Sequence, residues 1–293
     1  MIVMDKKYSV YVLKNADESI SGLSIEGWKI GIAHKIPISE DDYLSENVQL
    51  FPQLEKYLIM SHIHDSITYL HNGDNPFYIY IMKETDNIYS IRQAISILRL
   101  CKSSNIGLSW SFLFSASGGA IVNTIPHYVI PYYTHSTPLT MTNDEKIKIS
   151  ALQIPEIKQL NGQVQKMLTV FHESFHVENE YLSFILRIMV LEMLIDGNAE
   201  LSYRISRNVA VLLGKDEEES IQIEKICKKM YSARSKYLHD GIANDITQEM
   251  QYNALDISRR IIVNLALMNT NLSDIRAILH KSSFGSNPYN VQF

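Results

Sequence analysis

Apolar residues follow two different rhythms along this chain. In the first half they come as short runs. YSVYVL (8–13), WKIGIAHKI (28–36) and FYIYIM (77–82) partly alternate and are rich in aromatic and β-branched residues, which predicts strands. IGLSWSFLFSASGG (106–119) predicts a further strand ending in a Gly-Gly turn. HYVIPYY (127–133) predicts an edge strand, because Pro131 has no N–H to give to a ladder. Between them, SIRQAISILRLCK (90–102) sets Ile91, Ala94, Ile95, Leu98 and Cys101 at helical spacing, with Ser90 as N-cap.

After the polar break STPLTMTND (136–144) the rhythm turns helical. Helices are expected from residue 143 with a stop or kink at Pro155, over QVQKMLTVFHESFHV (163–177), and from Glu180 to about Gly197. Others are expected over 199–214, 218–241 with a stop at Asp240-Gly241, 246–268, and 272–281 with Ser273 as N-cap. The pattern therefore predicts an α+β N-terminal domain over residues 1–140, an all-α antiparallel helix bundle over 145–282, and a C-terminal tail over 283–293.

Composition narrows the function classes. With 46% hydrophobic and 20% charged residues in 293, there is ample material for a sizeable core. The net charge of -5 gives no global basic footprint, so contact with nucleic acid must come from a local cluster. Cys101 and Cys227 have no CxxC spacing, which fits a reducing compartment better than a disulfide framework. MIVMDKKYSV lacks an apolar signal core. The most apolar stretch, YLSFILRIMVLEMLI (181–195), is too short to cross a bilayer and carries Arg187 and Glu192. A cytoplasmic protein with no membrane partner is expected.

Two short patterns could carry chemistry. The first is His172-Glu173-x-x-His176. On a helix, two His at i and i+4 share a face and can share a zinc ion, and the intervening Glu can deprotonate a metal-bound water. Glu192 is the nearest candidate for a third ligand, but it lies within the apolar LEMLI run. Position 178, usually apolar in zinc peptidases of this type, is Glu178. The bland alternative makes His172, Glu173 and His176 the solvated side of an amphipathic helix that buries Val170, Phe171, Phe175 and Val177, and it predicts no bound metal.

The second pattern is KKMYSARSKYLHDG (228–241), with Arg234 five residues before His239. It follows a segment with Phe184, Arg187, Leu191, Glu192 and Leu194, and another with Arg204, Arg207, Ala210, Leu212 and Leu213. Together with Tyr231, Arg234, Ser235, His239 and Gly241, this order resembles the Apea-like branch of the HEPN superfamily over about residues 145–270. Residues 90–112 resemble more loosely the segment that often precedes the bundle in those proteins. Asp240 separates His239 from Gly241, where the family frequently has Gly directly after the His.

The resemblance implies a metal-independent endoribonuclease without cofactor, of the kind found in bacterial toxin or phage-defence (abortive-infection) systems. The RNA 2′-OH would attack its own phosphodiester and leave a 2′,3′-cyclic phosphate. His239 would move protons near neutral pH. Arg234 would place a planar, permanently charged fork on the phosphate. Ser235, Lys236, Tyr231 and Glu192 would support them, and Lys228, Lys229, Arg204 and Arg207 would bind RNA. A homodimer through the bundle is implied, with residues 1–140 as the place where a regulator or trigger acts. The alternatives are a catalytically silent HEPN dimer that scaffolds RNA, nucleotide or protein, and the zinc peptidase.

Geometry adds conditions. On a regular helix Arg234 and His239 point about 140° apart, so they share a cleft only if the helix ends or bends between them. His239 could instead cap the helix end, and Arg234 could pair with Glu224. Glu192, if buried, needs a partner, and Arg204 and Arg207 are candidates. Lys225, Lys228, Lys229 and Lys236 are either a solvated face or the local basic stripe that RNA requires.

Overall fold

The computed structural model describes residues 7–34, 70–72, 75–115, 120–126, 137–151, 155–196, 200–268, 270–286 and 288. The chain divides into two compact units: Met1–Ile130 with Ser136–Leu152, and Pro131–His135 with Gln153–Phe293. The first is rich in strands and the second is helical, in the order the hydrophobic rhythm predicts.

The sheet unit consists of β1 (Lys7–Lys14), β2 (Ser24–Ile25), β3 (Trp28–His34), β4 (Leu70–Asn72), β5 (Asn75–Glu84), α1 (Ile91–Cys101), β6 (Gly107–Ser115), β7 (Ala120–Pro126) and α2 (Asn143–Ala151). The strands form one antiparallel sheet in the order β2-β3-β5-β1-β6-β7, with β4 also on β5. β1 is central, between segments far along the chain, and Ser9 through Lys14 are all buried. Such burial on both faces explains why YSVYVL alternates only in part. Its polar members are satisfied locally: the Ser9 hydroxyl donates to the Thr85 carbonyl at 2.9 Å. Gly31 lies opposite Tyr80, whose ring would collide with any Cβ at that position. A glycine there lets the neighbouring aromatic cover the strand. Trp28 packs edge-on to Tyr11 at 5.6 Å, both nearly inaccessible.

Several boundaries differ from expectation. α1 buries Ile91, Ala94, Ile95 and Leu98 as predicted. Ser90 occupies its N-cap position but makes no cap; its hydroxyl donates to the Asn87 carbonyl. β7 and the short β2 and β4 were not anticipated. The expected Gly-Gly turn and the edge strand 127–133 lie outside the described residues, as do positions 35–36. α2, expected to open the bundle, groups with the sheet unit, where Glu145 pairs with Lys102 at 2.9 Å.

The helical unit consists of α3 (Gly162–Glu173), α4 (Glu180–Glu192), α5 (Leu201–Leu213), α6 (Glu217–Asp240), α7 (Gln248–Met268) and α8 (Leu272–Lys281). Caps set the starts. Asn161 accepts from Gln163 N, Asn179 from Tyr181 N and Leu182 N, and Asp216 from Glu219 N. Ser273 is not a cap; α8 begins at Leu272, behind Asn271. Gly241, at φ 71°, closes α6 as the Asp-Gly pair predicts. α4 packs against α3 and α7, and α5 runs along α6. Phe171, Phe175 and Phe184 are fully buried, each contributing about 1.5–3 kcal/mol. In the tail, Gly285 N donates to the Ser220 hydroxyl, so its described part is held on the first turn of α6.

Candidate functional site

α4 is apolar almost to its end, and its final residue is Glu192. The five positions 192–196 then leave the helix with their carboxylates and carbonyls turned to neighbours. Three arginines from three helices converge on them. Arg234 of α6 places Nη2 3.1 Å from Glu192 Oε1 and 3.2 Å from Oε2. Arg276 of α8 donates from Nε to the Leu194 carbonyl and from Nη2 to those of Met193 and Ile195, at 2.9–3.0 Å. Arg204 of α5 pairs with Asp196 at 3.1 Å. A helix end concentrates unsatisfied carbonyls and negative dipole, so cations gather there.

The partner of Glu192 is thus Arg234, not the expected Arg204 or Arg207. Arg207 donates to the Leu279 and Ser282 carbonyls and closes the end of α8. Glu224 is taken by Lys228 at 2.9 Å, which removes it as a partner for Arg234. Burial holds the Glu192 carboxyl above its usual range, outweighing the pull of the Arg234 guanidinium. Arg234 is four-fifths covered, its Cζ lies 5.8 Å from the Tyr231 ring centroid, and its Nε has no hydrogen-bond partner among the described residues.

His239 sits elsewhere on the same helix. α6 runs without a break from Glu217 to Asp240, so the expected bend between Arg234 and His239 does not occur. The two side chains leave the axis about 140° apart. Arg234 shares its side with buried Ile223, Cys227 and Met230, whereas His239 is exposed beside Lys225, Lys228, Lys229 and Lys236. A continuous helix thus separates the two groups that the sequence pattern joins. Lys236 pairs with Asp245 at 2.6 Å and Ser235 is half-buried. Lys228 also lies 6.0 Å from the Tyr203 ring centroid. The exposed Lys236–Asp245 pair holds weakly and can be displaced by phosphate.

The HESFH segment crosses a helix end. His172 and Glu173 are the last residues of α3; Ser174 to His176 form a turn, with His176 N donating to the Glu173 carbonyl at 2.9 Å. The i, i+4 helical face that zinc binding presupposes is therefore absent. Ser174 and Phe175 are buried, and the Arg187 guanidinium lies 5.5 Å from the Phe175 ring centroid. No cluster of three or more metal-ligating side chains occurs among the described residues, and Glu192 is committed to Arg234.

Sequence reasoning missed Arg276. Its signal was an arginine beside the apolar stripe Leu272, Ile275 and Leu279 of a short helix, a place where a cation needs acceptors. Asp196, next to Glu192, was missed for want of any pattern. No protein-family model matches this chain, and no curated protein or solved structure matches it. No helix among the described residues is long and apolar enough to cross a membrane.

Proposed function

We propose that the helical unit is a HEPN-type endoribonuclease that binds RNA along the exposed face of α6 and uses His239 to move protons. The observation that carries this is the placement of His239 on the same face of one unbroken helix as Lys225, Lys228, Lys229 and Lys236. A proton-moving group then stands in a row of cations that attracts phosphates. The Glu192–Arg234 ion pair adds support, since it joins two of the segments on which the HEPN resemblance rests. Because Arg234 faces away from its own His239, the reading requires a second copy, with each site taking Arg234 from one protomer and His239 from the other.

A second reading has an observation of its own. Arg234 is drawn into α4 by Glu192, which suits a catalytically silent module that binds RNA or a protein partner.

Purified protein incubated with RNA in EDTA distinguishes them. The nuclease reading expects cleavage with 2′,3′-cyclic phosphate ends, abolished by Arg234→Ala and by His239→Ala, and regained when the two variants are mixed. In the mixed dimer one site has both residues and the other has neither. No regain on mixing overturns the shared site; no cleavage by the unaltered protein leaves the silent module.

A further inference from the structure

A polar cleft lies between α5 and α8, and His239 does not line it. Its volume is about 570 Å³, within the range of small-molecule sites. α5 presents Tyr203, Arg204 and Arg207 to it, and α8 presents Arg276 and His280. Spacings of three and four residues set each group on one helical stripe. A groove between packed helices is ordinarily filled by apolar side chains; this one is lined by guanidinium groups.

The state of those arginines decides what the cleft can hold. Arg207 and Arg276 are fixed by backbone carbonyls at helix ends, which orient the guanidinium groups and offset their charge only in part. Of the three, Arg204 alone is ion-paired among the described residues, with Asp196, whose side chain is 70% exposed, so this pair is the exchangeable one. Three guanidinium charges thus stand against two carboxylates, Asp196 and Glu200, with His280 as a further donor. Tyr203, 51% exposed, offers a ring face, and Lys228 of the α6 lysine row lies 6.0 Å from its centroid.

We propose that this cleft binds a phosphate monoester, the doubly charged phosphate of a nucleotide or of an RNA end. Pre-oriented guanidinium forks match phosphate oxygens, and the excess positive charge favours a dianion over the single charge of an internal diester. The Tyr203 ring would stack the adjoining base. The site shares no residue with the Arg234–His239 pair and does not depend on strand cleavage.

Titration calorimetry of the full chain with inorganic phosphate, AMP, and a short oligoribonucleotide with either a 5′-phosphate or a 5′-hydroxyl tests this. Saturable binding of one phosphate-bearing probe per chain is expected, weakened about 10–100-fold by Arg204→Glu and less by Arg204→Gln. Inorganic phosphate and AMP have no internal diester to cleave, so their binding separates failure of this site from failure of the nuclease reading. If AMP exceeds phosphate and Tyr203→Ala removes the difference, the ligand is a free nucleotide. If the 5′-phosphorylated strand binds more tightly than the 5′-hydroxyl strand and Arg204→Glu removes the difference, it is an RNA end. Circular dichroism checks that each variant folds. No saturable binding of inorganic phosphate or AMP at millimolar concentration, or indifference to both Arg204 substitutions, overturns the proposal.

Discussion

Buried and half-buried polar groups are used differently in the two units. In the sheet unit they serve the backbone: Ser9 bonds Thr85, Ser109 bonds Val12, and Arg99 Nε donates to the Ile106 carbonyl. Each such bond fixes a register or a turn. In the helical unit, arginines from α5, α6 and α8 converge on five residues beyond the body of α4. Arg99 holds only backbone, whereas Arg204 and Arg234 meet carboxylates on one short segment that borders a polar cleft, and for that reason the proposed function is placed in the helical unit.

The largest test of this contrast is catalytic. His239→Ala should lower RNA cleavage by about 10²–10⁴-fold without altering the circular dichroism spectrum. Arg234→Ala should cost about 3–4 kcal/mol in the barrier, and Arg234→Lys should not fully restore it, because a point charge lacks the fork. The counterpart in the sheet unit is structural. Trp28→Ala should remove about 3–5 kcal/mol of stability in denaturant titration, as a large-to-small change at a fully packed site. If Trp28→Ala abolished cleavage while the fold persisted, the division of labour would fail.

Next comes the clamp at the end of α4. Arg276→Met leaves three carbonyls without their charged donor and should cost about 1.5–3 kcal/mol. A smaller effect belongs to Glu192. Its carboxyl binds a proton more tightly in the folded chain than in the unfolded one. Its contribution to stability is therefore present at low pH and lost as pH rises from the ordinary value of 4.5 through the raised one. Glu192→Gln should flatten that decline in denaturation curves across the weakly acidic range; an unchanged slope would show that Glu192 is not the group responsible. The smallest effect is one of reactivity. Burial pushes the Cys227 thiol up to about 12, so an alkylating reagent should label half-buried Cys101 first and reach Cys227 only on unfolding of the helical unit. Equal rates in the native protein would mean that the helical unit opens readily around Cys227.

The order of the two units was legible because period-3.6 and period-2 patterns are local. Gly241 could be read for the same reason: an αL residue after a helix almost demands glycine. The placement of β1 between β5 and β6 was not legible, since register is set by residues about 70–100 positions apart and β1 is apolar on both faces. At the candidate site, Arg234, His239, Arg204, Arg207 and Glu192 were all singled out from sequence, but their pairing was not. Helical phase predicts which side a residue occupies, not which neighbour arrives there. It also overreached at His172 and His176, where α3 stops one residue after His172. Helix ends are where periodicity carries least information.

The convergence on residues 192–196 has a consequence for inheritance and for engineering. Arg204, Arg234 and Arg276 occupy separate helices, yet each answers to the same short segment. Substitutions at these positions should therefore interact: the cost of Arg276→Met measured in an Arg234→Ala background will differ from its cost alone, as sites sharing a partner generally do. A lineage that alters position 192 or 196 would be expected to change an arginine elsewhere in the helical unit, and a designer grafting α6 onto another scaffold would have to bring the end of α4 with it.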